Sequence, residues 1–144
     1  MEYQIDIRSL AEVTAFIQIN NLQNNPAAVL LLGGDRLTCC DKTAIAIING
    51  KTVGVVTVSY QGESQDGTPT IVGAYVLKSY RGQGIGKAML LAAIDFMQRK
   101  RLKTPYRIDT VSKAGQALVL SLPKETLDLI QLNHLGNLLD MFPE

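Results

Sequence analysis

The chain has 144 residues, 47% of them apolar and 19% charged, which is one ordinary domain with ample material for a packed core and no disorder signature. Its 14 Lys plus Arg stand against 13 Asp plus Glu, a net of +1, which excludes a basic nucleic-acid coat or an acidic tail as the organising feature. The adjacent Cys39 and Cys40 and the lone His134 exclude a disulfide framework and leave a Cys/His zinc site short of ligands unless a carboxylate joins them, so no metal is expected.

The opening Met1-Glu2-Tyr3-Gln4-Ile5-Asp6 has neither a basic nor an apolar leader region, and no apolar run approaches about 20 residues. No signal peptide and no membrane partner are expected, and the expected address is cytoplasmic. Residues 3–7 alternate as a short strand. Ser9 and Glu12 have capping-box spacing, and Val13, Phe16 and Ile17 predict a helical face that ends near Asn20-Asn21. Pro26 opens a short helix through Leu32, stopped by Gly33-Gly34.

Residues 43–48 and 52–60 are β-rich and flank Asn49-Gly50, the strongest short hairpin signal because both turn residues need φ > 0. A polar stretch, 61–69, leads to another strand at 70–77, so 43–77 predicts a three-stranded antiparallel meander. A helix follows from about Gly84 to Lys100, with Asp95 four residues before Arg99. Residues 88–94 are apolar all round, which predicts burial on most sides. Arg99-Lys100-Arg101 is read as a solvated helix end, where cations are favourable.

Pro105 ends the connection, and 106–111 reads as a strand reached by a crossover. Residues 114–122 predict a helix, which Pro123 interrupts or follows with another. Residues 126–132 fit a last strand or more helix, and Gly136 sets off a final apolar piece at 138–142. No repeat, low-complexity segment or linker divides the chain, so 1–144 is expected to be a single domain.

Chemistry concentrates between strand and helix, in Tyr80-Arg81-Gly82-Gln83-Gly84-Ile85-Gly86-Lys87. Glycines there let an anion approach the backbone amides, and the helix start adds unpaired N–H groups and partial positive charge, which together make a pyrophosphate cradle. Residues 78–113 hold 9 basic and 2 acidic side chains, a net of +7, whereas 1–72 has a net of −3. The spacing matches neither a nucleoside triphosphate P-loop nor Gly-x-Gly-x-x-Gly, and a ligand-free glycine turn is the plain alternative.

The run from Val76 to Ala88 closely resembles the acetyl-CoA signature of the GNAT superfamily of N-acetyltransferases, Gln/Arg-x-x-Gly-x-Gly/Ala, met here by Arg81, Gly84 and Gly86. The order of elements over roughly 3–122 is similar to that family as well. The resemblance implies an α+β (α/β), GNAT-like acyl-CoA N-acyltransferase fold: a mostly antiparallel central sheet, flanking helices and a splayed strand pair. It also implies acetyl-CoA as acyl donor. Arg81, Gly82, Gln83, Gly84, Ile85, Gly86 and Lys87 would surround the pyrophosphate, the amides from Gln83 to Lys87 holding it. Val76 and Leu77 would pair their backbone with the pantetheine arm, as with an added strand. The strand at 106–111 would splay from 70–77 to admit that arm.

Acyl transfer to an amine needs a proton acceptor, an oxyanion donor and a stabilised leaving thiolate. The resemblance places the oxyanion donor at a backbone N–H near Val76 or Leu77. It implies a carboxylate base on the same strand or a water chain, and Ile71 to Val76 carries no carboxylate. It implies an acid in the pattern Asn-x-x-Ala-x-x-x-Tyr followed by Gly-Phe. Aligned on Ala117, this chain has Ala114 in place of the asparagine, Ser121 in place of the tyrosine, and no Gly-Phe.

The catalytic candidates are therefore Asp109, a well-placed base if it faces the slot, Tyr75, which would line the acceptor pocket, and Ser121. Tyr60 and Tyr106 read as pocket or core, Glu63 and Asp66 as loop carboxylates that solvent or a cationic acceptor would meet, and His134 as a base or a structural residue. Cys39, Cys40, Met89 and Met97 read as packing. No cysteine is paired with a histidine, so direct transfer in a ternary complex is expected rather than an acyl-enzyme.

The expected function is an N-acyltransferase moving an acetyl group to a primary amine on a small molecule or peptide. The alternative is a catalytically weak acyl-CoA-binding sensor or interaction module. Nucleic acid is not an expected partner, and a homodimer is, from the resemblance and the apolar tail.

Overall fold

A computed structural model describes residues 2–61 and 67–142. Glu63 and Asp66 lie outside the described residues. The elements run β1 (Gln4–Ser9), α1 (Ala11–Ile19), α2 (Pro26–Leu31), β2 (Lys42–Ile48), β3 (Lys51–Ser59), β4 (Thr70–Val76), α3 (Ile85–Arg99), β5 (Tyr106–Thr110), α4 (Lys113–Leu120), α5 (Lys124–Leu127) and β6 (Ile130–His134). Short 3₁₀ turns at Leu22–Asn24, Gly34–Cys39, Lys78–Tyr80 and Leu138–Met141 complete them.

The six strands form one sheet in sequence order. The pairs β1–β2, β2–β3 and β3–β4 are antiparallel, whereas β4–β5 and β5–β6 are parallel. A two-residue turn joins β2 to β3, with Asn49 at φ 51° and Gly50 at φ 76°, the left-handed pair that matches strand twist.

Alternation along the strands loads both faces of the sheet. In β2, Ala44 and Ala46 face α3, together with Val56 of β3 and Met89, Ala93 and Met97 of the helix. Ile45 between them faces the other way, against Val13 and Phe16 of α1 and Ala28 of α2. α3 is buried along one stripe, Ile85, Met89, Leu90, Ala93, Ile94 and Met97. Ala88, Leu91 and Ala92 are partly covered and none of residues 88–94 is exposed, in keeping with the burial on most sides expected for this stretch. Asp95 and Arg99 pair at 2.8 Å as their spacing predicts.

The expected capping box at Ser9 does not form. Ser9 stays in the ladder opposite Lys42, Leu10 becomes the cap residue without a side-chain bond, and Glu12 pairs with Arg8 at 3.2 Å. α2 has the cap that α1 lacks: Asn25 Oδ1 accepts from the Ala28 N–H at 3.2 Å, and Pro26 occupies the first helical position. The open question in the tail resolves into a single turn of helix, α5, and then a strand, β6.

Cys40 is buried and donates to the Arg36 carbonyl at 3.6 Å. Burial pushes its thiol from 9.0 up to about 11. The unfolded chain therefore ionises first: the stabilising effect of the neutral thiol is present below pH 9.0 and lost as pH rises toward about 11. In the native protein at pH 8, a thiol reagent is expected to label the partly exposed Cys39 rapidly and Cys40 only on unfolding. Two thiols reacting at equal rates without denaturant would contradict this burial.

Candidate functional site

The sheet opens where β4 meets β5. Those strands pair only at Thr70 with Arg107 and Ile71 with Ile108. On the other side of β4, Thr57 of β3 faces Gly73 and Val58 faces Ile71, so Val72 is an extra residue, a β-bulge. The bulge bends β4, and beyond it the two strands part. A small cleft, open to solvent, enters the gap between Leu30 and Leu31 of α2 on one face and Leu90 of α3 and Leu118 of α4 on the other. Its strand walls are Gly73 and Ala74 on β4 and Asp109 and Thr110 on β5.

β4 turns alternate backbone groups toward this gap. The Leu77 N–H donates to the Val53 carbonyl at 2.8 Å, so residues 77 and 75 turn toward β3. Ala74 and Val76 then turn their N–H and C=O to the open edge. Of the two backbone donors expected at this strand end, Val76 faces the cleft side and Leu77 faces β3.

The glycine segment sits at the same end of the sheet. Gly82 and Gly84 both have φ 80°, and a Cβ added at either meets nothing within 4 Å. Glycine is needed there for its left-handed backbone, and the space beside it is open. In α3 the Ala88 N–H reaches the Gly84 carbonyl at 3.1 Å, which leaves the amides of Ile85, Gly86 and Lys87 as the helix's unpaired first turn. These residues fit a pyrophosphate group: open amides, positive helix end and room for the anion.

Two cations fasten the loop. Arg81 donates from Nε to the Val76 carbonyl at 2.8 Å and lies 5.1 Å from the Tyr75 ring centroid. Lys87 donates from Nζ to the Ser121 carbonyl at 3.2 Å, where a cation suits the C-terminus of α4.

The expected catalytic residues are not gathered in one place. Asp109 lines the cleft, with its side chain 1% exposed. Its Oδ2 accepts from Arg36 Nη1 at 2.5 Å, its Oδ1 accepts from Asn133 Nδ2 at 2.8 Å, and Arg107 Nε stands 3.6 Å from Oδ1. Both oxygens are thus engaged, and the carboxylate ties the 3₁₀ turn after α2 to β5 and β6. Tyr75 is buried against Phe16 in an edge-to-face contact at 6.2 Å, on the face of α1 and α2, and is not part of the cleft wall. Ser121 ends α4 on the surface, its hydroxyl donating to the Leu118 carbonyl at 2.6 Å. Tyr106 is core, its hydroxyl bonded to the Leu102 carbonyl at 2.8 Å. Thr110, which sequence reasoning did not single out, lines the cleft beside Asp109; a threonine in a strand carries no mark that separates it from ordinary β-formers.

Comparison with known proteins follows this geometry. Residues 14–117 match the model of the Acetyltransferase (GNAT) family. No curated protein sequence matches the chain. Among solved structures, a ribosomal-protein-alanine N-acetyltransferase from Brucella melitensis biovar Abortus 2308 superposes with a TM-score of 0.55 at 23% identity, covering 81% of this chain and 87% of that one. An aminoglycoside acetyltransferase from an uncultured soil metagenomic sample, in complex with sisomicin, gives 0.54 at 20% identity, with 86% of each chain covered. A predicted acetyltransferase from Clostridium acetobutylicum, with acetyl-CoA, gives 0.56 at 14% identity, covering 85% of this chain and 91% of that one. At these identities the structures show a shared fold.

Proposed function

Because the chain belongs to the GNAT acetyltransferase family, whose members move acetyl groups to amines, we propose that it transfers acetyl from acetyl-CoA to a primary amine on a small molecule or peptide, directly and in a ternary complex. One observation carries the assignment: the glycine cradle at the start of α3 and the opened β4–β5 edge lie at the same end of the sheet. A phosphate end and an extended arm would each find a built partner there.

In this assignment Gln83 to Lys87 hold the pyrophosphate through their amides. Arg81 and Gly82 shape the loop. Val76 and Leu77 form the strand end along which the arm lies, and the Val76 N–H polarises the acyl carbonyl. Asp109 keeps Arg36 and Asn133 in place beside the reacting groups. Tyr75 supports Arg81 from below, and the Ser121 carbonyl anchors Lys87. Acetyl-CoA, when bound, supplies the activated acyl group; the chain supplies alignment, which alone is worth several kcal/mol, of order ~7.

A homodimer and a cytoplasmic address belong to the same proposal. The exposed Leu135, Met141 and Phe142 of the tail support self-association. Among the described residues no helix is long and apolar enough to cross a membrane.

The deciding experiment is calorimetric titration of acetyl-CoA and free coenzyme A into the purified protein, followed by acetyl-CoA consumption with a polyamine, an aminoglycoside and an alanine-initial peptide. Micromolar binding of both nucleotides and amine-dependent turnover are expected. Binding without turnover would leave an acyl-CoA-binding module. No binding by a folded protein would remove the transferase assignment.

A further inference from the structure

We propose that Thr110 and His134 form the proton relay of this transfer, an inference that rests on the acetyltransferase assignment above. Thr110 closes β5, is 7% exposed and lines the cleft. His134 closes β6 and stands beside it in register. Thr110 Oγ1 and His134 Nδ1 are 2.8 Å apart. On the far side of the ring, Nε2 lies 3.1 Å from Asn137 Oδ1. An amide oxygen only accepts, so Nε2 donates to it, and a neutral ring then keeps its lone pair on Nδ1. In that state the Thr110 hydroxyl donates to Nδ1 and keeps a lone pair with which to accept a proton.

The tail is built to hold this chain of bonds. The Leu135 N–H donates to the Thr110 carbonyl at 2.9 Å and the Leu139 N–H to the Val111 carbonyl at 3.0 Å. These two bonds strap residues 135–139 across the end of β5 and fix Asn137 beside the ring.

The relay supplies what the site otherwise lacks. β4 carries no carboxylate, Asp109 has both oxygens engaged, and Ser121 points its hydroxyl back into α4. As the amine nitrogen bonds to the acyl carbon, one N–H bond breaks: Thr110 Oγ1 takes that proton while its own moves to His134 Nδ1, and the ring becomes a cation. As the carbon–sulfur bond breaks with its electron pair on sulfur, the proton returns from Nδ1 through Thr110 to the thiolate. The ring ends neutral, and the products are an amide and a thiol.

The charged groups on the elements packed around the ring are Arg107 and Asp109 on β5, the latter turned toward Arg36, Lys113 on α4, Lys124 and Glu125 on α5, and Asp140 in the last turn. Among the described residues none of them forms an ion pair with His134.

His134 is the one histidine among 144 residues, so its ring signals in a nitrogen–proton NMR spectrum assign themselves. Whenever the ring is neutral the free protein is expected to show the Nε2–H tautomer, and saturating acetyl-CoA is expected to shift the ring signals. Neither reading needs an acceptor amine. In turnover with the best amine of the panel, Thr110→Val and His134→Gln are expected to lower kcat by about 10²–10³-fold with the KM for acetyl-CoA unchanged. Thr110→Ser is expected to restore most of the rate.

The Nδ1–H tautomer, ring signals blind to bound acetyl-CoA, or a Thr110→Val enzyme with the wild-type rate would each overturn the relay. An acetyl mass increment on Thr110 would overturn it in favour of a covalent nucleophile. Failure of the wild-type protein to bind acetyl-CoA is the separate result that removes the assignment beneath it.

Discussion

Gly84→Leu is expected to abolish acetyl-CoA binding in a protein that still folds. At φ 80° a side chain costs about 1–2 kcal/mol of backbone strain, a small part of the ~5–15 kcal/mol that holds a domain together. No protein atom lies within 4 Å of the added Cβ, so the leucine meets space rather than core. That space is the approach to the first-turn amides of α3. An isobutyl group there keeps a pyrophosphate from the N–H donors, whose value depends on contact. A rise in Kd of at least about 100-fold, near 2.7 kcal/mol, is expected by calorimetry. Circular dichroism is expected to be unchanged, with the melting temperature lower by about 4–8 °C. Wild-type affinity in a folded Gly84→Leu protein would move the phosphate site off this loop.

How far the sequence foretold the structure depended on whether a feature is local. Asn49-Gly50 fixes its hairpin because two left-handed residues admit few alternatives, and Pro26 with Gly33 brackets α2 for the same kind of reason. The turn at Gly82 and Gly84 was legible because each acts through its own left-handed backbone. Ser9 misled: its spacing to Glu12 suits a cap, but pairing with β2 holds it in the strand, and tertiary hydrogen bonding outweighed a local signal.

What escaped the sequence is long-range. Asp109 and Arg36 meet across 73 residues, and neither announces the other. The extra residue at Val72, which bends β4 and helps open the cleft, belongs to an ordinary β-rich run. Thr110 acquires a possible chemistry only when β6 sets a histidine beside it. Residues 126–132 were ambiguous because a short apolar run takes the structure of its neighbours, and β5 offered a free edge for β6.

The largest loss of stability is expected at Gly73, where no unusual dihedral is involved. A Cβ there would sit 2.4 Å from the Leu32 carbonyl carbon, 2.5 Å from its oxygen and 2.7 Å from the Leu31 oxygen. All three are backbone atoms at the end of α2, so no rotamer change relieves the overlap; the helix end itself has to move. Ala27, Ala28 and Leu32 are almost wholly buried, and that close seat on the sheet is what Gly73 permits. Gly73→Ala is expected to cost about 3 kcal/mol, set against a gain of at most ~1 kcal/mol from a stiffer unfolded chain. A drop of about 6–10 °C in melting temperature follows for a chain of this size.

Gly34→Ala is the control. Its φ is 58° and its added Cβ meets nothing within 4 Å, so it reports left-handed strain without a clash. If crowding against α2 is the cause, Gly73→Ala loses clearly more than Gly34→Ala. It is also expected to weaken acetyl-CoA turnover, because Gly73 and Leu31 wall the cleft that the displaced helix would reshape. Equal melting temperatures for the two variants would mean that α2 yields at little cost, and that the close approach at Gly73 does not hold the cleft's wall.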